Sequence, residues 1–295
     1  WNCPFRDDCQ YDQLRVDLRY TSGVIICNQD FLTAHLLHRS RDLEGLMSSS
    51  VQLAVVDEAH NLEDKVRSAT TECFGQRQLT GIIRASIRSF HDAELEVLQV
   101  QAGQAEEAVR ALYHTLSGQM QQQITSSEQD LRYAERFFFR DTPEAIRQIR
   151  AVARELVGLS SSVQIYSTRN RLRTDADIAS DELEAASKSF AALVQNLDNR
   201  LLWLERRGNA AERVSCPKNT RDIISRLYFR GGIQSILTSA TLTSGNDGDL
   251  EHQYAYFVNN TGFPAGGQGV LAEPKPSPFP YDQHGLIYYC EDLPH

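Results

Sequence analysis

Hydrophobic and polar positions along the chain fall into three textures. Up to about residue 65, short β-rich runs alternate with helical spacing. Residues 21–27 read as a strand, and residues 30–39 set Phe31, Leu32, Ala34, His35 and Leu36 at the spacing of an amphipathic helix. Residues 51–56 form a second short apolar strand. Strands alternating with helices predict a parallel α/β sheet.

From about 66 to 200 the strand signal nearly vanishes. Glu, Gln, Ala, Leu and Arg dominate, all good helix formers, and predict helices over 79–102, 106–123, 127–140, 143–156 and 178–206. Pro143 behind Thr142 reads as a first-turn proline after a cap. Gly103 and Gly118 read as breaks. Strand texture returns at Val214, at 233–238 and at 285–289, with glycine-rich loops at 244–249 and 262–269. There is no internal repeat and no low-complexity tract. The pattern predicts an α/β domain interrupted by an all-helical insertion.

Composition narrows this. A length of 295 residues suits two domains, or one domain with a large insertion. Trp1 at the start suggests a segment of something longer. Apolar runs such as Gly23–Cys27 fall far short of the ~18 residues of a membrane span. No secretory leader pattern is visible, and six scattered cysteines fit a reducing compartment better than a disulfide framework. A net charge of −9 argues against a nucleic-acid partner, because phosphate binding relies on positive charge. Its distribution weakens that argument: residues 1–65 hold 6 basic and 11 acidic side chains, whereas residues 66–200 hold 16 and 18.

Two motifs carry chemistry. In Val55-Val56-Asp57-Glu58-Ala59-His60-Asn61 an apolar strand runs into adjacent carboxylates and then a helix begins. Ligands of α/β sheets bind at the carboxyl ends of strands. A carboxylate there can hold Mg²⁺ through its water shell, and a second can orient or deprotonate an attacking water. The same residues also describe an acidic helix cap after a core strand. In the second motif, Ile236-Leu237 leads into Thr238-Ser239-Ala240-Thr241, hydroxyls that can relay hydrogen bonds from a phosphate site, or simply form a turn.

DEAH after one strand and TSAT after another resembles the superfamily-two helicases, and within them the iron–sulphur DinG/XPD type, over essentially the whole chain. The resemblance implies a RecA-like parallel-sheet motor domain interrupted by a helical arch. It further implies Asp57 on Mg²⁺, Glu58 as the base for ATP hydrolysis, and His60 coupling the ATP site to the motif of Thr238, Ser239, Ala240 and Thr241. Cys3 and Cys9, in Cys3-Pro4-Phe5-Arg6-Asp7-Asp8-Cys9, look like the last two of four ligands to a 4Fe–4S cluster, the other two being expected upstream; taken alone they are two surface cysteines. Cys27-Asn28-Gln29 stands where the family has an Asn-His-type turn. By this likeness the chain divides into a cluster remnant (1–14), part of the first motor domain (15–65), the arch (66–202), the return to the motor (203–245) and the start of a second motor domain (246–295).

The chain has no Gly-Lys-Ser/Thr phosphate loop, which the resemblance would put before Trp1, so the segment alone is not expected to hydrolyse ATP efficiently. Arginine supplies 26 of the 30 basic residues. Arg132, Arg136 and Arg140 fall on one predicted helical face, and Arg147, Arg150 and Arg154 on the next. With Tyr133 and Phe137–Phe139 interleaved, these suit contact with single-stranded DNA. They equally suit solvated faces paired with Glu135, Glu144 and Glu155. The resulting expectation is a cytoplasmic, monomeric ATP-dependent helicase, nucleoid-associated if bacterial, acting 5′-to-3′ on single-stranded or forked DNA, without a membrane. Its rival is a non-catalytic binding module derived from a helicase.

Overall fold

The computed structural model describes residues 8–41, 45–126, 133–170, 175–244, 248–275 and 279. Cys3, Arg132 and the strand predicted at 285–289 lie outside them. In chain order come α1 (Gln10–Tyr20), α2 (Gln29–Ser40), β1 (Leu53–Val56), a 3₁₀ turn (Ala59–Asn61), α3 (Leu62–Ala69) and β2 (Glu72–Gly75). Then follow α4 (Gln76–Ile87), α5 (Asp92–Ser126), β3 (Arg136–Phe138), α6 (Pro143–Asn170) and α7 (Asp175–Gln195). β4 (Arg200–Arg207), β5 (Ala210–Pro217), α8 (Arg221–Ile224), a π-helical turn (Ser225–Phe229) and β6 (Gln234–Leu237) lead to α9 (Leu250–Gln253) and α10 (Ala255–Thr261). The protein is mixed α/β, with one parallel and one antiparallel sheet. No helix among the described residues is long and apolar enough to cross a membrane.

The chain forms two compact units: residues 1–63 with 221–295, and residues 64–220. In the first, β1 and β6 pair in parallel, Leu53 opposite Gln234 through Val56 opposite Leu237. Val56 and Ile233 are buried, but Val55 is 64% and Ile236 53% exposed, so the sheet is covered on one face only. The strand predicted at 21–27 is not formed. Its apolar residues Val24 and Ile26 are exposed, and β propensity yields no strand without a ladder partner.

In the second unit α4, α5, α6 and α7 pack around one core that includes Leu79, Leu112, Ile149, Leu156, Phe190 and Leu204. Against it lies an antiparallel sheet in the order β2-β5-β4-β3. This corrects the expectation of an all-helical insertion. The helix predicted at 178–206 ends at Gln195, and Leu201–Arg207 instead turn through Gly208-Asn209 into β5. Gly208 has φ 62°, the positive value that the first position of a tight hairpin loop requires. Residues 127–140, expected as a helix, also differ where they are described. Gln119 and Gln123, buried on α5, present their side-chain amides to the backbone of Arg140 and Phe138 at 2.8–3.0 Å, N–H to Oε1 and C=O to Nε2. Two side chains thus stand in for a neighbouring strand, and the described end of this segment is β3 rather than a helix.

Gly103 and Gly118 break nothing: both lie inside α5. Ala102, Ala105, Val109, Leu112, Leu116 and Met120 keep one face of that helix buried past both glycines. The predicted cap of α6 is present, with the Ala145 N–H donating to Thr142 Oγ1 at 3.2 Å.

Candidate functional site

The acidic turn follows directly from the parallel sheet. β1 ends at Val56, and the next four residues are Asp57, Glu58, Ala59 and His60. The Thr238 N–H donates to the Val56 carbonyl at 2.9 Å, and the Ala59 N–H donates to the Thr238 carbonyl at 3.0 Å. The ladder therefore continues past both strands and sets the DEAH turn against the TSAT segment. Ser239 Oγ lies 2.7 Å from His60 Nδ1 and 3.4 Å from Glu58 Oε2, and His60 Nδ1 lies 3.2 Å from Glu58 Oε2. Glu58, His60 and Ser239 thus meet at one point, with the Glu58 side chain 59% exposed and open to water. Ser239 Oγ also accepts from the Thr241 N–H at 3.3 Å, which bends the segment back on itself. Ala240 is exposed and makes no part of this contact.

The turn has an unusual backbone. Glu58 has φ 52° and ψ 43°, the only positive φ at a non-glycine position among the described residues. The left-handed region costs an ordinary L-residue on the order of 1–2 kcal/mol, so surrounding bonds must hold it. The Glu58 N–H donates to Asp57 Oδ1 at 2.9 Å, and the Asn61 N–H to the Glu58 carbonyl at 3.0 Å. From α2, Gln29 Nε2 donates to the Asp57 carbonyl at 2.5 Å and to the Glu58 carbonyl at 3.1 Å. In the sequence, Gln29 reads only as the last residue of a turn. The available signal was its position just after the helix cap Asn28, whose side chain accepts from the Phe31 N–H at 2.8 Å.

Asp57 is an exposed carboxylate at the carboxyl end of a parallel strand. That suits Mg²⁺, which takes one or two carboxylates and keeps most of its water. No group of three or more His, Cys, Asp or Glu side chains converges as a metal cage among the described residues. Cys9 precedes α1 as its cap residue and is a free thiol, so by itself it does not make a cluster site.

The arginines divide. Arg136 sits on β3, 3.3 Å from Glu205 on β4, and Arg140 follows that strand, so the helical face predicted for them does not exist. Arg147, Arg150 and Arg154 do lie on α6, all exposed. Arg147 pairs with Glu144, and Arg154 with Glu155 at 2.8 Å. Phe137 is buried, whereas Tyr133 and Phe138 are exposed. No family model and no curated protein sequence matches this chain.

Proposed function

We propose that this chain carries the DEAH-bearing part of a DinG/XPD-type DNA helicase, a RecA-like motor that couples Mg–ATP hydrolysis to 5′-to-3′ movement along single-stranded or forked DNA. The observation that supports it best is the continuation of the β1–β6 ladder, which brings Glu58, His60 and Ser239 within 3.4 Å of one another. In this reading Asp57 would hold Mg²⁺, and the ion would supply positive charge at the phosphoryl group. Glu58, open to solvent beside Asp57, takes the proton of the attacking water. His60 and Ser239 share a hydrogen bond, so a change of proton or partner at Glu58 reaches the segment after β6. The exposed arginines of α6 are the candidates for the DNA backbone. The working protein in this reading is a cytoplasmic monomer, nucleoid-associated if bacterial.

The test is Glu58→Gln in the full-length protein. The expected result is loss of DNA-stimulated ATP hydrolysis by at least about 100-fold, with single-stranded DNA binding within about twofold of wild type. Turnover retained by this variant would remove Glu58 from the role.

A further inference from the structure

From α2, Gln29 bonds the backbone of the acidic turn. Its Nε2 donates to two consecutive carbonyls, of Asp57 and of Glu58, and these flank the left-handed residue. Its Oε1 is buried with no partner among the described residues, so the side chain acts there through its donor alone. Gln29 is itself braced from behind. Thr33 Oγ1 donates to the Gln29 carbonyl at 2.7 Å. That spends the only Thr33 hydroxyl proton, so the Tyr228 hydroxyl, 2.7 Å away, must donate to Thr33 Oγ1. Tyr228 belongs to the π-helical turn, and its carbonyl accepts from Ser235 Oγ at 2.8 Å on β6. A directed chain of hydrogen bonds therefore runs from the strand before Ser239, through the π-turn and α2, to the backbone beneath Glu58.

From this geometry we infer that Gln29 is the positioning residue of the acidic turn: it holds Glu58 in its left-handed conformation and so aims the carboxylate toward His60 and Ser239. A residue of this kind sets the rate of the step that uses Glu58 and leaves affinity for the nucleotide nearly untouched, because its donor is engaged by the backbone carbonyls of the turn. The inference rests on the assignment of Glu58 as the base. Its structural half, the clamp on the turn, can be tested without that assignment.

The experiment compares wild type, Gln29→Met, Gln29→Glu and Gln29→His in the full-length protein. Met keeps the length and loses the donor. Glu keeps the shape and turns a carboxylate onto two carbonyls. His returns one N–H at similar reach. Two quantities are read: kcat and KM for Mg–ATP hydrolysis with single-stranded DNA, and amide hydrogen exchange over residues 55–61. For Met and Glu we expect kcat lowered roughly tenfold at a KM within about twofold, with faster exchange at 57–61; His should restore kcat to within about threefold. Unchanged exchange at 57–61 in both donor-less variants overturns the clamp. Faster exchange with an unchanged kcat, or a fall carried by KM instead, overturns the positioning role. Should Gln29→Glu fail to fold, Met against His gives the same decision. Wild type without ATPase activity would sink the helicase reading, while the exchange comparison would still decide the clamp.

Discussion

His35 shows how burial turns a titratable side chain into a fold element. It is fully buried on α2, and its Nδ1 accepts from the Met47 N–H at 3.1 Å. The chain approaches so closely there that a Cβ on Gly45 would stand 2.9 Å from His35 Cε1. Burial, reinforced by the positive charges of Arg39 and His38, holds its pKa below the ordinary 6.5. Below 6.5 the unfolded chain binds the proton first, so the stability contributed by neutral His35 is whole above that pH and is lost as pH falls through the lower folded value. Urea unfolding should therefore weaken from pH 7.5 to 5.5, and His35→Gln, which can still accept from Met47, should show a shallower loss. Equal losses would exclude His35 as a source. Arg213 is the opposite case, a cation kept inside. It stacks on Phe190 and Phe74, with its guanidinium carbon 4.6 Å and 5.3 Å from the ring centroids, and donates to Ser215 Oγ at 2.9 Å. Nearby Glu72 is already bonded to Arg200 at 3.0 Å and to Ser189 at 2.8 Å. Desolvation pulls the Arg213 pKa below its usual value, and the stacked rings with the hydroxyl supply what water no longer does. The sequence Glu212-Arg213-Val214 carries no sign of this.

At the scale of elements, packing overrules local propensity in both directions. α5 runs through two glycines because its buried face is continuous. At Gly103 and Gly118 an added Cβ would meet nothing within 4 Å. Gly103→Ala and Gly118→Ala should then each stabilise the protein by about 0.5–1 kcal/mol, since alanine loses less backbone freedom on helix formation. A higher urea midpoint at unchanged slope would show it; a lower midpoint would mean that the helix needs the glycines. β3 is the converse. Good helix formers lead into it, yet Gln123 bonds the backbone of its Phe138, Gln119 that of Arg140 just beyond it, and strand pairing with β4 completes the rest. Beside the core that α4 and α5 share, a surface pair joins them, Arg84 Nε to Glu106 Oε1 at 2.8 Å, and its hydrogen bond holds the Glu106 pKa below its usual value. Arg84 is exposed, so water and salt screen this pair and the packed core carries the helix–helix contact.

For the whole molecule, the decisive feature is that residues 64–220 contain an uninterrupted core of their own, whereas the flanking unit rests on two parallel strands with an exposed apolar row. The ends of the inner unit are tied together, Arg67 Nη1 donating to the Pro217 carbonyl at 2.8 Å. Closely spaced ends and a separate core are what an inserted domain has. Residues 64–220 expressed alone should thus unfold in one cooperative transition by circular dichroism; a broad, non-cooperative melt would show that their core depends on the rest of the chain. Much of this was legible in the residues. The period of apolar positions located α2, β1 and β6 and marked most of α4 to α7 as helical, although 79–102, read as one helix, is broken between Ile87 and Asp92, and the strand-then-carboxylate order of Val56-Asp57-Glu58 marked the acidic turn. Periodicity records which side of an element is apolar, and that is a local property. It could not show that 21–27 lacks a ladder partner, that Leu201–Arg207 is a hairpin arm, or that Arg136 faces Glu205. Nor could it show that Glu58 is left-handed, because the turn is held from outside by Gln29 of α2 and by the Thr238 carbonyl, which meets the Ala59 N–H only when β1 and β6 pair. Sequence alone determined which residues carry charge and hydroxyl groups at the ends of the two strands. The tertiary structure decided which of them touch, because hydrogen bonds act over about 3 Å and residues 58 and 239 come that close only through the sheet.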